Sequence, residues 1–199
     1  RTVTGVQTCA LPICSVPLWN GTEALPVFDL RPFNRGRSGI ISTPALGKAM
    51  AEKLGKAEAV LLWGHGIAIG AKSIPEVITR VAELRDSAQV QQAVVANGGT
   101  WKPAPRPVDD AAVERTWAYH KAAVVEQMGG KVLMTAPTRP ANPTDPAERA
   151  KLDLVLANRI LSSDDVGVLD TVGHVSVRNP SNPNTYFVAP KLAPGSVKK

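Results

Sequence analysis

A chain of 199 residues is long enough for one compact domain with a core of its own. Its hydrophobic share of 44% and charged share of 20% are those of a globular protein and exclude a disordered one. The net charge of +6 is mild and dispersed. Its densest cluster, Arg31, Arg35 and Arg37, lies in a loop with proline and glycine. That reads as a solvated loop or a contact for small anions; nucleic acid would want a longer basic stripe interleaved with aromatics. No apolar run approaches the length needed to span a bilayer, so no membrane partner is expected. Cys9 and Cys14 build no disulfide framework, and no targeting signal is visible, which together suit a cytoplasmic protein.

The segment Val3 to Ile13 resembles the translation of a common sequencing-library adapter. Residues 1–14 are therefore expected to be a non-native scar, to be excluded from fold reasoning, with the true chain starting near Ser15. Neither cysteine then carries evidence about chemistry.

Pro26 to Leu30 reads as a short strand leading into a loop over Arg31 to Gly39. Thr43 and Pro44 supply an N-cap and a first helical position. The helix they open presents Leu46, Met50 and Leu54 on one face and stops at Gly55. Two apolar runs follow, Val60 to Trp63 and Ile67 to Ile69, joined through Gly64-His65-Gly66. Ser73-Ile74-Pro75-Glu76 is a capping box for a long helix whose buried face holds Val77, Val81, Leu84 and Ala88, closed by Asn97-Gly98-Gly99. After a Pro-rich connection from Pro103 to Pro107, a helix is expected from Asp109 to about Gln127, with Val113, Trp117 and Val124 on its apolar side. His120 on this helix reads as a partly exposed structural histidine.

Thr135 to Pro146 contains four prolines and reads as a linker. Asp145, Pro146 and Glu148 start a helix through Leu152, Leu156, Ile160 and Leu161. Val172 to Arg178 then alternates as a strand, with Val175 and Val177 on one face and His174, Ser176 and Arg178 on the other. A turn over Asn179 to Asn184 leads to a return strand, Thr185 to Ala189.

His65 has the setting of a metal ligand, an imidazole on a tight glycine turn between strands. With three histidines in the chain, no His-x-His and no His-x-x-x-His, the residues alone favour a structural role.

Asp29-Leu30-Arg31, Thr43-Pro44-Ala45-Leu46-Gly47, Trp63-Gly64-His65-Gly66 and the helix ending at Asn97 resemble the C-terminal half of the class II aldolase/adducin family, in its decarboxylase-like branch. Arg115 to Lys121 is similar to that family's last helix, and the resemblance covers Val27 to Val125. Leu156 to Leu161, Gly173 to Arg178, Tyr186-Phe187 and Leu192-Ala193-Pro194 are similar to its first helix and first hairpin. The family's end thus precedes its beginning, and the middle that holds its acidic residue and a His-x-His pair is missing. The chain therefore divides into the scar (1–14), a C-terminal part (15–128), a Pro-rich linker (129–147) and an N-terminal part (148–199). A truncated fusion of two copies, with Met134 as a native start, is favoured over a circular permutant, which should keep every core element.

The resemblance implies an α/β fold, a class II aldolase-like antiparallel sheet flanked by helices, here incomplete. It implies a divalent metal, zinc, acting as a Lewis acid when a C–C bond breaks. His65 matches the third metal ligand, while the catalytic acid/base has no counterpart. His174, Ser176 and Arg178 match the family's substrate-facing strand, where arginine suits carboxylate recognition; an ordinary strand with polar residues outward is the competing reading. Histidine at position 174, and Pro190-Lys191-Leu192 in place of a serine-containing segment, point away from phosphorylated sugars. The expected function is that of a fragment of a metal-dependent lyase, cleaving or decarboxylating a hydroxy-carboxylic or sugar-derived substrate, weakly active or inactive alone. Its expected partners are that small molecule and like subunits in a homo-oligomer. An adducin-like, non-catalytic interaction domain is the alternative.

Overall fold

The computed structural model describes residues 4–8, 19–20, 23–34, 41–100, 109–127, 143–164, 166–169, 173–189 and 193–197. The connection at Pro103–Pro107, most of the linker, both cysteines and the Arg35–Gly39 part of the basic loop lie outside these residues. In chain order the strands and helices begin with β1 (Thr4–Thr8), β2 (Trp19–Asn20), β3 (Glu23–Ala24), β4 (Val27–Phe28), α1 (Arg31–Asn34) and α2 (Pro44–Leu54). The hairpin β5 (Ala59–Leu62) and β6 (Gly66–Ala71) follows, then α3 (Ile74–Ala96), α4 (Asp110–Gln127), α5 (Pro146–Leu161), β7 (His174–Arg178) and β8 (Tyr186–Val188).

Local chemistry accounts for the helix starts. Thr43 Oγ1 accepts the Leu46 N–H at 3.2 Å and Pro44 follows with its φ already helical. Ser73 Oγ accepts the Glu76 N–H at 3.3 Å, while Glu76 reaches back to the N–H of Lys72 at 2.9 Å. The reciprocal bond of the capping box thus lands one residue before the cap. Asp145 accepts from both Ala147 and Glu148, and Asp109 accepts from Ala112 at 2.6 Å. The start of the expected basic loop is instead the helical turn α1. Asp29 Oδ1 accepts the Arg31 N–H at 2.9 Å, an aspartate turn that leads into the helix, and Pro32 suits its first turn.

Six strands form one sheet in the order β4-β5-β6-β1-β7-β8, and β2 and β3 form a separate pair. The antiparallel expectation holds for β5–β6, β6–β1, β1–β7 and β7–β8. The β4–β5 pair is parallel, because the chain leaves β4, crosses through α2 and returns in the same direction.

Residues 4–8, set aside by sequence as part of a foreign scar, are the central strand. β1 pairs with β6 from Thr4↔Ala71 to Thr8↔Ile67 and with β7 from Gly5↔Ser176 to Gln7↔His174. Val6 stands in register between Ile69 and Val175.

Alternation gives the sheet two faces. Leu61, Ile69, Val175 and Val177 point to one, where α3, α4 and α5 cover them with Val77, Ile78, Val81, Leu84, Trp117, Val124, Leu156 and Ile160. This core draws on β5, β6, α3 and α4 together with α5 and β7, so the segments before and after the linker pack as one body. The opposite face carries Val60 and Leu62, which α2 covers with Leu46 and the half-buried Met50 and Leu54. Arg80 of α3 bridges Glu76 and Glu58, tying the helix to the lead-in of β5. His120 is buried, not partly exposed, and meets the Tyr119 ring edge-on at 5.1 Å.

Candidate functional site

His65 occupies the tip of the β5–β6 hairpin, half-buried. Its N–H donates to the Leu62 carbonyl at 3.0 Å, closing the turn. Gly64 sits at φ 67, the left-handed region where a side chain would be strained. The apolar strand β5, buried at all four positions, delivers the turn to the sheet's end.

The same end collects residues from β4. The Trp63 N–H donates to the Phe28 carbonyl at 2.9 Å, extending the parallel ladder to the edge of the turn. Just past β4, Arg31 forks onto Asp29, with Nε at 3.0 and 3.1 Å from the two carboxylate oxygens and Nη2 at 2.7 Å from Oδ2. Its guanidinium lies over the Trp63 ring, 4.9 Å from the centroid. The side-chain hydrogen bonds from Arg31, helped by its backbone N–H and its charge, hold the Asp29 carboxyl below its ordinary value of 3.8.

On β7 the expected alternation holds. Val175 and Val177 are buried in the core, and His174, Ser176 and Arg178 share the other face. Through the registers Gln7↔Ala68 and Gly5↔Gly70, that is the face bearing Ala68 and Gly70 of β6. A Cβ added at Gly70 would meet nothing within 4 Å, and Tyr186 and Val188 of β8 are exposed on the same side. His174 keeps exposed surface, yet the protein packed around the start of β7 withholds water from the ring and lowers its pKa from 6.5. Arg178 turns away from this corner, its Nη1 donating to the Pro183 carbonyl and propping the turn between β7 and β8.

His65 and His174 lie at the same end of the sheet but are not neighbours. Two strand spacings, about 10 Å, and an offset of three residues along the strands, about 10 Å more, separate their positions. One zinc ion, with its nitrogens about 2 Å away, does not span that gap. Among the described residues no three His, Cys, Asp or Glu side chains gather to hold a metal ion. Asp29, the carboxylate close to the turn in the fold, is committed to Arg31. The described donors of one chain therefore do not fit a closed metal site.

Sequence reasoning missed the Asp29–Arg31–Trp63 group. The carboxylate and guanidinium two residues apart, directly after a strand, were a visible signal. Their meeting with Trp63 depends on the parallel register Phe28↔Leu62, which local sequence does not encode.

Comparison with known proteins places these features. Residues 22–92 match the model of the Class II Aldolase and Adducin N-terminal domain. A 64-residue stretch is 36% identical to a 3,4-dihydroxyphthalate decarboxylase of Rhodococcus jostii (strain RHA1), covering 32% of this chain and 26% of that protein. The match spans about a quarter of the relative's length. The matched segment contains β4, α2, the His65 hairpin and most of α3. No described helix is long and apolar enough to cross a membrane.

Proposed function

Residues 22–92 match the Class II Aldolase and Adducin N-terminal domain, and from that match we propose that the chain is part of a metal-dependent carbon–carbon lyase. Its reaction would be decarboxylation or aldol cleavage of a hydroxy-carboxylic acid, with a sugar-derived substrate as the neighbouring possibility. The observation that carries this reading is His65, presented on a glycine turn inside the matched segment at the end of a fully buried strand. The similarity to a decarboxylase of a dihydroxylated aromatic diacid supports a hydroxy-carboxylic acid as substrate.

A divalent ion, zinc in this proposal, would supply Lewis acidity to a substrate oxygen. His65 would give one donor, and the others must come from outside the described residues, from a neighbouring subunit of a homo-oligomer or a missing segment. The chain's own groups have narrower tasks. His174, neutral at pH 7 through its lowered pKa, can donate one hydrogen bond and accept another but brings no positive charge to a carboxylate. The Ser176 hydroxyl stands two residues along on the same face. Arg178 would reach an anionic group only after releasing Pro183. We assign these three to substrate contact and leave the proton-transferring acid outside this set.

Zinc titration by calorimetry, with turnover measured on ortho-hydroxy aromatic acids, tests the proposal. The expected result is weak zinc uptake that disappears in His65→Ala, with little turnover by the chain alone. Tight one-to-one binding with robust turnover would overturn the incomplete-site reading. A zinc response indifferent to His65→Ala would favour the non-catalytic, adducin-like domain.

A further inference from the structure

The His65 N–H closes its turn on the Leu62 carbonyl, but the turn has no bulky residue beside the imidazole. Glycine stands on both sides of the imidazole, Gly64 is exposed, and a Cβ there would meet nothing within 4 Å. Such a turn has access to many backbone conformations. A metal donor or substrate contact nevertheless needs its side chain held closely in one orientation. The last large side chain before the turn is Trp63, a residue 38% exposed and so only partly fixed by the core.

We propose that Asp29 and Arg31 are positioning residues, a clamp that fixes Trp63 and through it the orientation of the His65 turn. The geometry is layered. Asp29 takes the backbone N–H of Arg31 and its guanidinium fork, so one carboxylate sets both the start of α1 and the direction of the side chain. The guanidinium carbon lies over the Trp63 ring, 4.9 Å from its centroid, a contact in which a planar arginine can stack as a lysine cannot. The Trp63 N–H is tied to Phe28, one residue before Asp29, so backbone and ring are gripped by the same short stretch of β4 and α1. Trp63 is thus held at two points, and its position constrains the next two residues of the turn.

The functional role of this clamp rests on His65 being a site residue as proposed above, but its physical test needs neither metal nor turnover. Amide hydrogen exchange at His65 and Gly66, together with the 15N resonances of the His65 imidazole, would be recorded in the full chain. The variants are Asp29→Asn, Arg31→Met and Arg31→Lys, with Lys48→Met as a control for loss of a surface charge. Exchange at the turn should rise on the order of fivefold in Asp29→Asn and Arg31→Met, the scale of an exposed cation–π contact plus an exposed ion pair. The His65 imidazole signals should move or broaden, and Arg31→Lys should not restore the parent spectrum. The Val175 amide, in β7, should exchange as in the parent, which separates turn loosening from global unfolding. Unchanged exchange and imidazole signals in Asp29→Asn and Arg31→Met would overturn the proposal. So would full restoration by Arg31→Lys, or an equal effect of Lys48→Met. If the clamp result holds while zinc and turnover tests fail, the lyase reading falls and the positioning role stands.

Discussion

Asn158 offers the sharpest test of how this fold is held together. It is fully buried on α5, 0% exposed, amid Leu154, Leu156 and Ile160. Its Nδ2 donates to the Leu154 carbonyl at 2.8 Å, and its Oδ1 accepts the Val175 N–H at 3.3 Å. The two bonds differ in value. The Leu154 carbonyl sits in a helix and keeps its usual backbone donor, so losing Nδ2 adds little. The Val175 N–H lies one residue beyond Ser176↔Val188, where the β7–β8 ladder begins, and the asparagine replaces the missing strand partner. Asn158→Ala leaves that donor buried and unsatisfied, at about 1–3 kcal/mol. The small cavity adds on the order of 1 kcal/mol. A loss of about 2–4 kcal/mol corresponds to a fall in Tm of roughly 5–15 °C for a chain of this length. Asn158→Leu fills the volume without restoring the acceptor, so it should lose most of the same stability. Urea denaturation and the exchange rate of the Val175 amide are the measurements. If both variants stay within about 0.5 kcal/mol of the parent, the range of ordinary surface substitutions, the hydrogen-bond argument is wrong. If leucine alone restores stability, the effect belongs to packing.

Two further outcomes follow from titratable groups shifted by desolvation. Burial raises the Asp153 carboxyl above 3.8, and the nearby Lys121 and Arg149 offset this only in part. A folded-state pKa above the unfolded one means that stability is lost as pH rises through that window. Asp153→Asn should therefore raise Tm at pH 7, with the gain vanishing near pH 3; a lower Tm at pH 7 would contradict it. For His174 the shift is downward from 6.5, so its contribution is present above that pH and is lost as pH falls through the folded value. An NMR titration should place its midpoint below 6.5, and His174→Gln should flatten the acid side of the stability curve; a midpoint at or above 6.5 would refute the assignment.

Features set within a few residues were readable from the sequence. Thr43, Ser73 and Asp145 cap helices because each side chain reaches an N–H two or three positions on. The His65 hairpin and the alternation of β7 were equally local, and so was the family resemblance that gave His65 its meaning. What sequence could not supply was register between distant strands. The parallel β4–β5 pair, the meeting of Arg31 with Trp63 and the central place of β1 all depend on pairings across tens of residues or more. Arg178 illustrates the limit at a single residue. Its face was predicted correctly, but its guanidinium was free to choose a partner, and it chose the carbonyl of Pro183.

The place of β1 also sets a timetable for synthesis. β1 leaves the ribosome before both of its partner strands, and one of its edges can pair once Ile67–Ala71 has emerged. Its other edge waits for Ser176, Val175 and His174. About 100 residues of translation separate the two events, roughly 5–20 s at ordinary elongation rates. Throughout that interval the growing chain carries an open sheet edge, the kind of template on which another nascent chain can add a strand. Slow codons or a stall between residues 71 and 174 would lengthen that exposure, so the soluble yield of this protein depends on the pace of its translation as well as on its final stability.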